Sequence, residues 1–322
     1  MRDKGLQDSK KVKKSSSKKS EKESLKELEK SIDEAFAPRK VKKSERDIKN
    51  VSIDKIRIVG SIKQHLREHF AHFVSNEIGI KLFKEGSEAR GEAVGVAQFE
   101  FSDHKAKAMG IPPFWIEFNP NHLDEEKERF LKEKMLKFIS NAHLTRLDLA
   151  FDVNFDLSQM TIIQKHATKS TIHYSPSKEI ETMYFGARGG EKFLRIYNKK
   201  KQLDEVLEEE VEDEILWRLE WELRRNEADI LTTNKTPFDA INILQKGNTD
   251  SLNVQEKAML FYLEHNPQGW SEMTKNTKKK YKEMLLEIAD EDISESFIKA
   301  YKQKKSDLLY EVTSWLKATQ QL

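Results

Sequence analysis

The sequence contains no cysteine, which excludes disulfide bonds and thiolate metal sites. A chain without cysteine fits a reducing compartment, so we expect a cytoplasmic protein. It also lacks any run of about 18 consecutive apolar residues, so neither a transmembrane helix nor a membrane partner is expected. The N-terminus is charged rather than apolar, which argues against a signal peptide.

Two common catalytic motifs are missing as well. No Gly-x-x-x-x-Gly-Lys-Ser/Thr loop for nucleotide phosphates occurs, which argues against an ATPase or a helicase. No Gly-x-Ser-x-Gly nucleophile elbow occurs either. The nine histidines are scattered and form no His-x-His pair. A metal site would therefore have to use carboxylates.

The charges are distributed unevenly along the chain. Charged residues make up 35% of the sequence, yet the net charge is only +2. Residues 1–50 hold 17 Lys and Arg against 10 Asp and Glu, a surplus of +7. This lysine- and serine-rich segment has too few apolar residues to order itself. We expect residues 1–48 to form a flexible basic arm, with a transient helix near 24–37, that either contacts DNA phosphates or only solubilises the protein.

Strand and helix periodicities follow from about residue 51 to residue 230, and only helical periodicity follows after that. The sequence predicts an α+β fold with a mainly antiparallel central sheet and flanking helices. We expect an α+β catalytic domain at 49–230 and a helical region without strands at 231–322. Strands are predicted at 52–59, 90–102, 114–118, 145–152, 193–201 and 217–224, a hairpin turn at 187–190, and helices at 61–78, 124–140 and 203–214.

The predicted strand at 193–201 carries the first candidate for chemistry. Side chains alternate across a strand, so Phe193, Arg195, Tyr197 and Lys199 share one face. A phenol with a pKa near ~10 attacks poorly at neutral pH, but nearby positive charge stabilises the phenolate and holds an anionic phosphodiester. Tyr197 is the candidate nucleophile. The alternative is a half-buried edge strand with an ordinary tyrosine.

The predicted strands at 145–152 and 217–224 alternate apolar residues with arginines and carboxylates. If the strands are neighbours, their carboxylates converge and can bind Mg²⁺ or Mn²⁺, which prefer oxygen ligands. Asp148 and Glu220 are the first candidates as metal ligands, with Glu222 and Asp152 next. A ladder of cross-strand arginine–carboxylate pairs is the alternative.

A second basic element lies in the helical region, at residues 269–282. Its Lys, Asn, Thr and Tyr side chains are of the types that contact phosphates and base edges. A solvated loop and helix face is the alternative.

Four segments occur in the same order as in one protein family. They are Glu117–Leu123, Leu144–Asp152, Tyr184–Arg188 and Phe193–Lys200. From about Ser52 to its C-terminus the chain resembles the replication initiators of small staphylococcal rolling-circle plasmids, the Rep_trans replication initiation factor family. The long lysine-rich arm is less typical of that family.

The resemblance implies an origin-specific DNA nickase whose nucleophile corresponds to Tyr197. The tyrosine would attack a phosphate at a hairpin extruded in the double-strand origin, keep the 5′ end and release a 3′-OH that primes synthesis. The resemblance also implies a homodimer, a need for Mg²⁺ or Mn²⁺, and a host helicase of the PcrA type. The implied origin-recognition segment comprises Glu272, Thr274, Lys275, Asn276, Thr277, Lys278, Lys279 and Lys280.

Together these observations predict a metal-dependent nicking and closing enzyme. Such chemistry needs no ATP, because a phosphotyrosyl bond conserves the energy of the broken DNA bond. Arg195, Arg146, Arg218 and Lys199 would offset charge on the phosphate. The rival hypotheses are a relaxase of a conjugative element, a phage replication initiator, a non-enzymatic origin-binding or operator-binding protein, and a structural scaffold with salt-bridged strands.

Overall fold

The computed structural model of the protein describes residues 46–84, 88–165, 169–204 and 215–320. The predicted basic arm lies outside the described residues except for residues 46–48, and so does most of the predicted helix at 203–214. No helix within the described ranges is both long and apolar enough to cross a membrane.

A large antiparallel sheet dominates the described residues. Its ten strands lie in the order β2-β3-β4-β5-β1-β6-β11-β10-β9-β8, and β7, β12 and β13 form a smaller sheet. The strands are β1 Ile48–Ile62, β2 Ile80–Lys84, β3 Glu88–Ala93, β4 Ala97–Ser102, β5 Phe114–Phe118, β6 Ile139–Val153, β7 Met160–Gln164, β8 Ser170–Tyr174, β9 Ile180–Phe185, β10 Lys192–Asn198, β11 Trp217–Arg224, β12 Ile241–Gln245 and β13 Glu291–Asp292.

The α-helices have clear start signals in the sequence. The Ser102 hydroxyl accepts a hydrogen bond from the Lys105 backbone N–H at the start of α2, and Asn253 forms a capping box with Glu256 at the start of α5. The helices are α1 Arg67–Asn76, α2 Asp103–Met109, α3 Glu125–Phe130, α4 Lys199–Gln202, α5 Val254–His265, α6 Gly269–Glu272, α7 Lys275–Ile288 and α8 Ser294–Lys317.

The long helix α8 covers one face of the large sheet. The β6 residue Phe151 packs edge-on against Phe297 of α8 and Phe238, with ring centroids 6.0 and 5.0 Å apart. Near the C-terminal end of α8, Trp315 packs against Phe118 of β5 at 4.8 Å. The sheet therefore buries its apolar face under α8 and leaves its polar side chains on the opposite face.

The predicted fold class is confirmed: a mainly antiparallel sheet carries flanking helices and is followed by C-terminal helices. Three details differ. The run at 90–102 is a hairpin of β3 and β4, the helix predicted at 124–140 gives way to β6 at Ile139, and the strand predicted at 193–201 ends at Asn198, where α4 follows.

The expectation of no strand after residue 227 is wrong, because β12 and β13 lie there. β12 has only five residues, and a short apolar run cannot be assigned to helix or strand by periodicity alone. It forms because β7 supplies its hydrogen-bonding partner. The described residues from 47 onward form one compact unit, and the division at residue 230 remains a prediction.

Candidate functional site

The three strands that carry the candidate residues are consecutive in the sheet. β6 pairs with β11, and β11 pairs with β10, all antiparallel. Glu220 lies opposite Arg195, and the next row places Arg218 between Asp152 and Tyr197. The condition that the carboxylate-bearing strands be neighbours is therefore met, and the tyrosine strand lies beside them.

Tyr197 lies in this polar face near the end of β10. Its side chain is 5% exposed, and its hydroxyl donates a hydrogen bond to Glu220 Oε2 at 3.5 Å. The Arg195 guanidinium lies over the Tyr197 ring, 4.0 Å from the ring centroid. Burial, followed by the negative charge of Glu220, raises the pKa of the phenol. The side chain is therefore protonated in the free protein and has a carboxylate positioned to accept its proton.

Arg195 and Lys199 differ from the other predicted cations in their partners. Among the described residues, no carboxylate pairs with Arg195, and its Nε is buried without a hydrogen-bond acceptor. Lys199 Nζ donates to Gln202 Oε1 at 2.9 Å. Burial, with a smaller contribution from Arg218, lowers the pKa of Lys199. Among the described residues, neither cation therefore has a carboxylate partner that would compete with an anion for it.

Arg146 is held by carboxylates on three strands. Its guanidinium donates to Asp148 at 2.8 and 2.5 Å, to Glu222 at 2.7 Å and to Glu117 at 3.3 Å. Glu222 also accepts a hydrogen bond from Arg224 Nε at 2.5 Å. This network ties β5, β6 and β11 together.

Asp148 is the most deeply buried carboxylate of this network, with no exposed surface. Burial raises its pKa to about 7; Arg146 opposes the shift, while Glu220 and Glu222 add to it. The carboxyl group therefore titrates near neutrality although it contacts an arginine.

Arg218 is held in the same way, and its partners include a residue that sequence reasoning missed. It donates to Asp152 at 2.6 and 2.8 Å and to Asp54 at 2.9 Å. The pairing of β1 with β6 shifts register between Ile53 and Lys55. That bulge brings Asp54 to the polar face. The signal was present in the sequence, because the apolar residues Ile53 and Ile56 are three positions apart rather than two.

Glu220 keeps most of its acceptor capacity. It is 9% exposed, and among the described residues the bond from Tyr197 is its one hydrogen bond. Burial, followed by the charge of Asp54, raises the pKa of Glu220. Two carboxylates that repel each other beside the tyrosine are a setting in which a cation would be stabilising.

The metal prediction can be tested against these contacts. Within the described ranges, no group of three or more His, Asp or Glu side chains has the geometry to hold a metal ion. Asp148, Asp152 and Glu222 accept hydrogen bonds from arginines, so their role as ligands remains a prediction. Mg²⁺ often uses only one or two carboxylates and completes its shell with waters and phosphate oxygens. Glu220 has acceptor capacity free for such an ion, whereas Asp54 would have to share its oxygens with Arg218.

The predicted origin-recognition segment lies away from these strands in sequence, at the junction of α6 and α7. Thr274 caps α7 by accepting a hydrogen bond from the Thr277 N–H at 3.3 Å, and Lys275 and Asn276 are exposed in its first turn. Glu272 accepts a hydrogen bond from Tyr262. Lys279 pairs with Glu283, and Lys280 pairs with Glu256. Lys278 is the remaining member of the segment. Their contact with DNA remains a prediction.

Comparison with known proteins identifies the class. A family model described as "Replication initiation protein, N-terminal" matches residues 55–139, which run from β1 to the start of β6. A replication initiation protein of Staphylococcus aureus is 33% identical over 270 residues, covering 82% of this chain and 85% of the relative. Another from the same organism is 32% identical over 267 residues, covering 81% and 83%.

The chain therefore belongs to the family of these staphylococcal replication initiation proteins. A more distant similarity links it to the solved structure of a rolling circle replication initiator protein from Geobacillus stearothermophilus. That similarity has a TM-score of 0.39 and 15% sequence identity, and it covers 63% of this chain and 90% of the other.

Proposed function

We propose that this chain starts rolling-circle replication of a plasmid by cutting one strand of the double-strand origin with Tyr197 and later resealing it. The observation that carries the proposal is the Tyr197 hydroxyl 3.5 Å from Glu220, with the Arg195 guanidinium over its ring. Within the described residues, that guanidinium pairs with no carboxylate. A nucleophile, a proton acceptor and a cation for the phosphate thus lie on two neighbouring strands.

The proposed reaction is an in-line transfer of a phosphoryl group. The Tyr197 oxygen attacks the scissile phosphorus and forms a P–O bond, while its proton passes to Glu220. The bond from phosphorus to the 3′ oxygen breaks, and the 3′ oxygen takes up a proton and leaves as a 3′-OH. The DNA 5′ phosphate is then esterified to Tyr197. The reverse reaction rejoins the strand, and no nucleotide is consumed.

The cations divide into two roles in this proposal. Arg195 and Lys199 contact the phosphate, because neither is paired with a carboxylate in the described structure. Arg146 and Arg218 are positioning residues, since their donors are occupied by carboxylates that fix neighbouring strands. A divalent ion, when bound by Glu220 and Asp54, would polarise the phosphate.

The partners of the reaction are proposed on the family resemblance. They are origin DNA with an extruded hairpin, a second copy of the chain and a host helicase of the PcrA type. A cytoplasmic location belongs to the same set of proposals.

A second candidate is an initiator that binds the origin without cutting it. The observation in its favour is that Tyr197 is only 5% exposed and that three of the four predicted metal ligands are paired with arginines. In that case the polar face is a salt-bridged structural layer, and the tyrosine serves packing.

One experiment separates the two candidates. Wild type, Tyr197→Phe and Tyr184→Phe are incubated with supercoiled plasmid carrying the chain's own origin in the presence of Mg²⁺. Tyr184 is the control because it lies beside Arg195 on the neighbouring strand. We expect open circles and a protein–DNA adduct with wild type and Tyr184→Phe, and neither with Tyr197→Phe, whose DNA binding persists. An adduct formed by Tyr197→Phe would refute the nucleophile, and inert wild type would favour the second candidate.

A further inference from the structure

A cavity of about 640 Å³ lies outside the polar face described above. It is enclosed by β7 and β12 of the small sheet, by β8 and β9 at the edge of the large sheet, and by α5 and α7. Ile162, Met183 and Leu285 contribute apolar walls. Protein interiors rarely leave voids much larger than a water molecule, and this volume is within the range of about 300–1,000 Å³ that is usual for small-molecule sites.

Two lysines one helical turn apart on α7 line the same cavity. Lys282 Nζ donates to the backbone carbonyl of Gln164 and, at 3.4 Å, to that of Lys165. Among the described residues, Lys278 pairs with no carboxylate. Like charges at this spacing on a helix repel each other. Burial lowers the pKa of Lys282, and Lys278 lowers it further. An anion bound between the two ammonium groups would relieve that repulsion.

An aromatic side chain completes the wall. Trp270 of α6 is half-buried, lines the cavity, and has Lys282 Nζ 6.0 Å from its ring centroid. It directly precedes the segment 272–280. An aromatic face beside cations is the combination that binds an unpaired base together with its phosphate.

We propose that this cavity takes up a single unpaired nucleotide of the bound DNA. Its base lies among the apolar walls against Trp270, and its phosphate lies between Lys278 and Lys282. The inference rests on the proposed function, because it adds a nucleotide-binding pocket to the same DNA-binding protein. A base in intact duplex cannot enter, so the pocket favours looped or melted DNA over duplex.

The test uses the full chain and three fluorescein-labelled DNA probes at fixed salt in EDTA, which is intended to prevent cutting. The probes are a hairpin with a thymidine loop, the same hairpin with an abasic loop, and the blunt duplex of the stem. Stacking of a base on an aromatic residue is strong enough that we expect the thymidine loop to bind about tenfold more tightly than the abasic loop.

Variants locate that preference in the cavity. Ile162→Trp fills the cavity, and Ile78→Trp adds the same ring at a position that is 96% exposed. We expect the preference for the thymidine loop to disappear in Ile162→Trp and to persist in Ile78→Trp. Lys278→Gln should weaken binding of both hairpins more than Lys302→Gln, which changes an exposed lysine of α8 outside the segment 272–280. If Ile162→Trp does not fold, the comparison of the two lysine variants still tests the pocket.

Equal binding of the two hairpins by wild type would overturn the pocket, as would an undiminished preference in folded Ile162→Trp. Equal effects of Lys278→Gln and Lys302→Gln would remove the proposed phosphate contact. These failures leave the proposed function intact as long as the Tyr197 adduct still forms. Loss of that adduct in wild type would instead remove the function on which the inference rests.

Discussion

Two arginines on the polar face of the sheet have the same charge but very different surroundings. Arg195 lies over Tyr197, and no carboxylate within the described structure is paired with it. Arg146 donates to three carboxylates and is 12% exposed. Charge that is already neutralised by neighbours cannot stabilise a developing negative charge as well. Replacing Arg195 should therefore affect mainly the nicking rate, and replacing Arg146 should affect mainly the stability of the fold.

We predict that Arg195→Gln lowers the nicking rate about 100-fold while the free energy of unfolding stays near that of wild type. Arg146→Gln should instead destabilise the fold by about 3 kcal/mol, because it leaves buried carboxylates without their cation. Single-turnover nicking and urea unfolding measure the two effects. If both variants lose rate and stability alike, the division of roles is wrong.

Glu220 is the residue through which the metal proposal is tested. We predict that Mg²⁺ raises the melting temperature of wild type, since a ligand that binds only the folded state stabilises it. Glu220→Gln should abolish this shift, and Asp54→Asn should reduce it. Glu287→Gln, on exposed α7 surface, is the control. A Glu220→Gln protein with the wild-type shift would exclude this carboxylate as a ligand.

The buried Asp148 predicts a pH dependence of stability. Its pKa is raised from 3.8 to about 7, so between these values the unfolded chain loses a proton that the folded protein keeps. The contribution of this residue to stability therefore falls as pH rises from about 4 to about 7. Asp148→Asn should flatten the decline in urea midpoint across this window, with exposed Asp307→Asn as the control. Parallel curves for wild type and Asp148→Asn would contradict the assignment.

At this scale, the sequence predicted which residues share a face, because period-two alternation fixes the face directly. Arg195, Tyr197 and Glu220 were found in that way. Asp54 was not, because a bulge breaks the alternation in β1. Nor could spacing show which cations are neutralised, because that depends on cross-strand register.

The site is built on strands that have one apolar and one polar face. Helix α8 packs against the apolar face and shields it from water. Five apolar side chains of α8 are buried, and Trp315 packs 4.8 Å from Phe118 while Lys132 lies over its ring. The position of β6 beside β11, and so the site itself, depends on this layer of packing.

We predict that Trp315→Ala lowers the free energy of unfolding by about 3–5 kcal/mol, the usual loss when a large buried aromatic is truncated. Tyr310→Ala removes an aromatic side chain from the same helix at a position that is 78% exposed, and it should change stability by less than about 0.5 kcal/mol. Urea unfolding monitored by circular dichroism measures both. Equal losses would show that α8 does not hold the sheet in this way.

The sequence predicted an element correctly where the segment is amphipathic by itself. It failed where the conformation of a segment depends on pairing with a distant strand. β6, β10 and β11 alternate cleanly and were recognised. β12 is a short apolar run whose strand conformation depends on pairing with β7, which lies far away in sequence. The C-terminal region therefore looked entirely helical in the sequence.

For the whole molecule, the order of four motifs predicted the family, and identity along most of the chain to staphylococcal replication initiation proteins confirms it. The charge is divided between two parts of the chain, since residues 1–50 carry a surplus of +7 and the remainder therefore carries −5. The catalytic proposal depends on the large sheet alone, where three consecutive strands bring Tyr197, the carboxylates and Arg195 together.

The most direct measurement of the central claim is to find which residue carries DNA. Wild-type protein is trapped on a suicide substrate from its own origin, digested with nuclease and protease, and its peptides are mapped by mass spectrometry. The account predicts a nucleotide joined through its 5′ phosphate to Tyr197, on whichever protease fragment contains that residue. A nucleotide on any other side chain, or attachment through a 3′ phosphate, would contradict it.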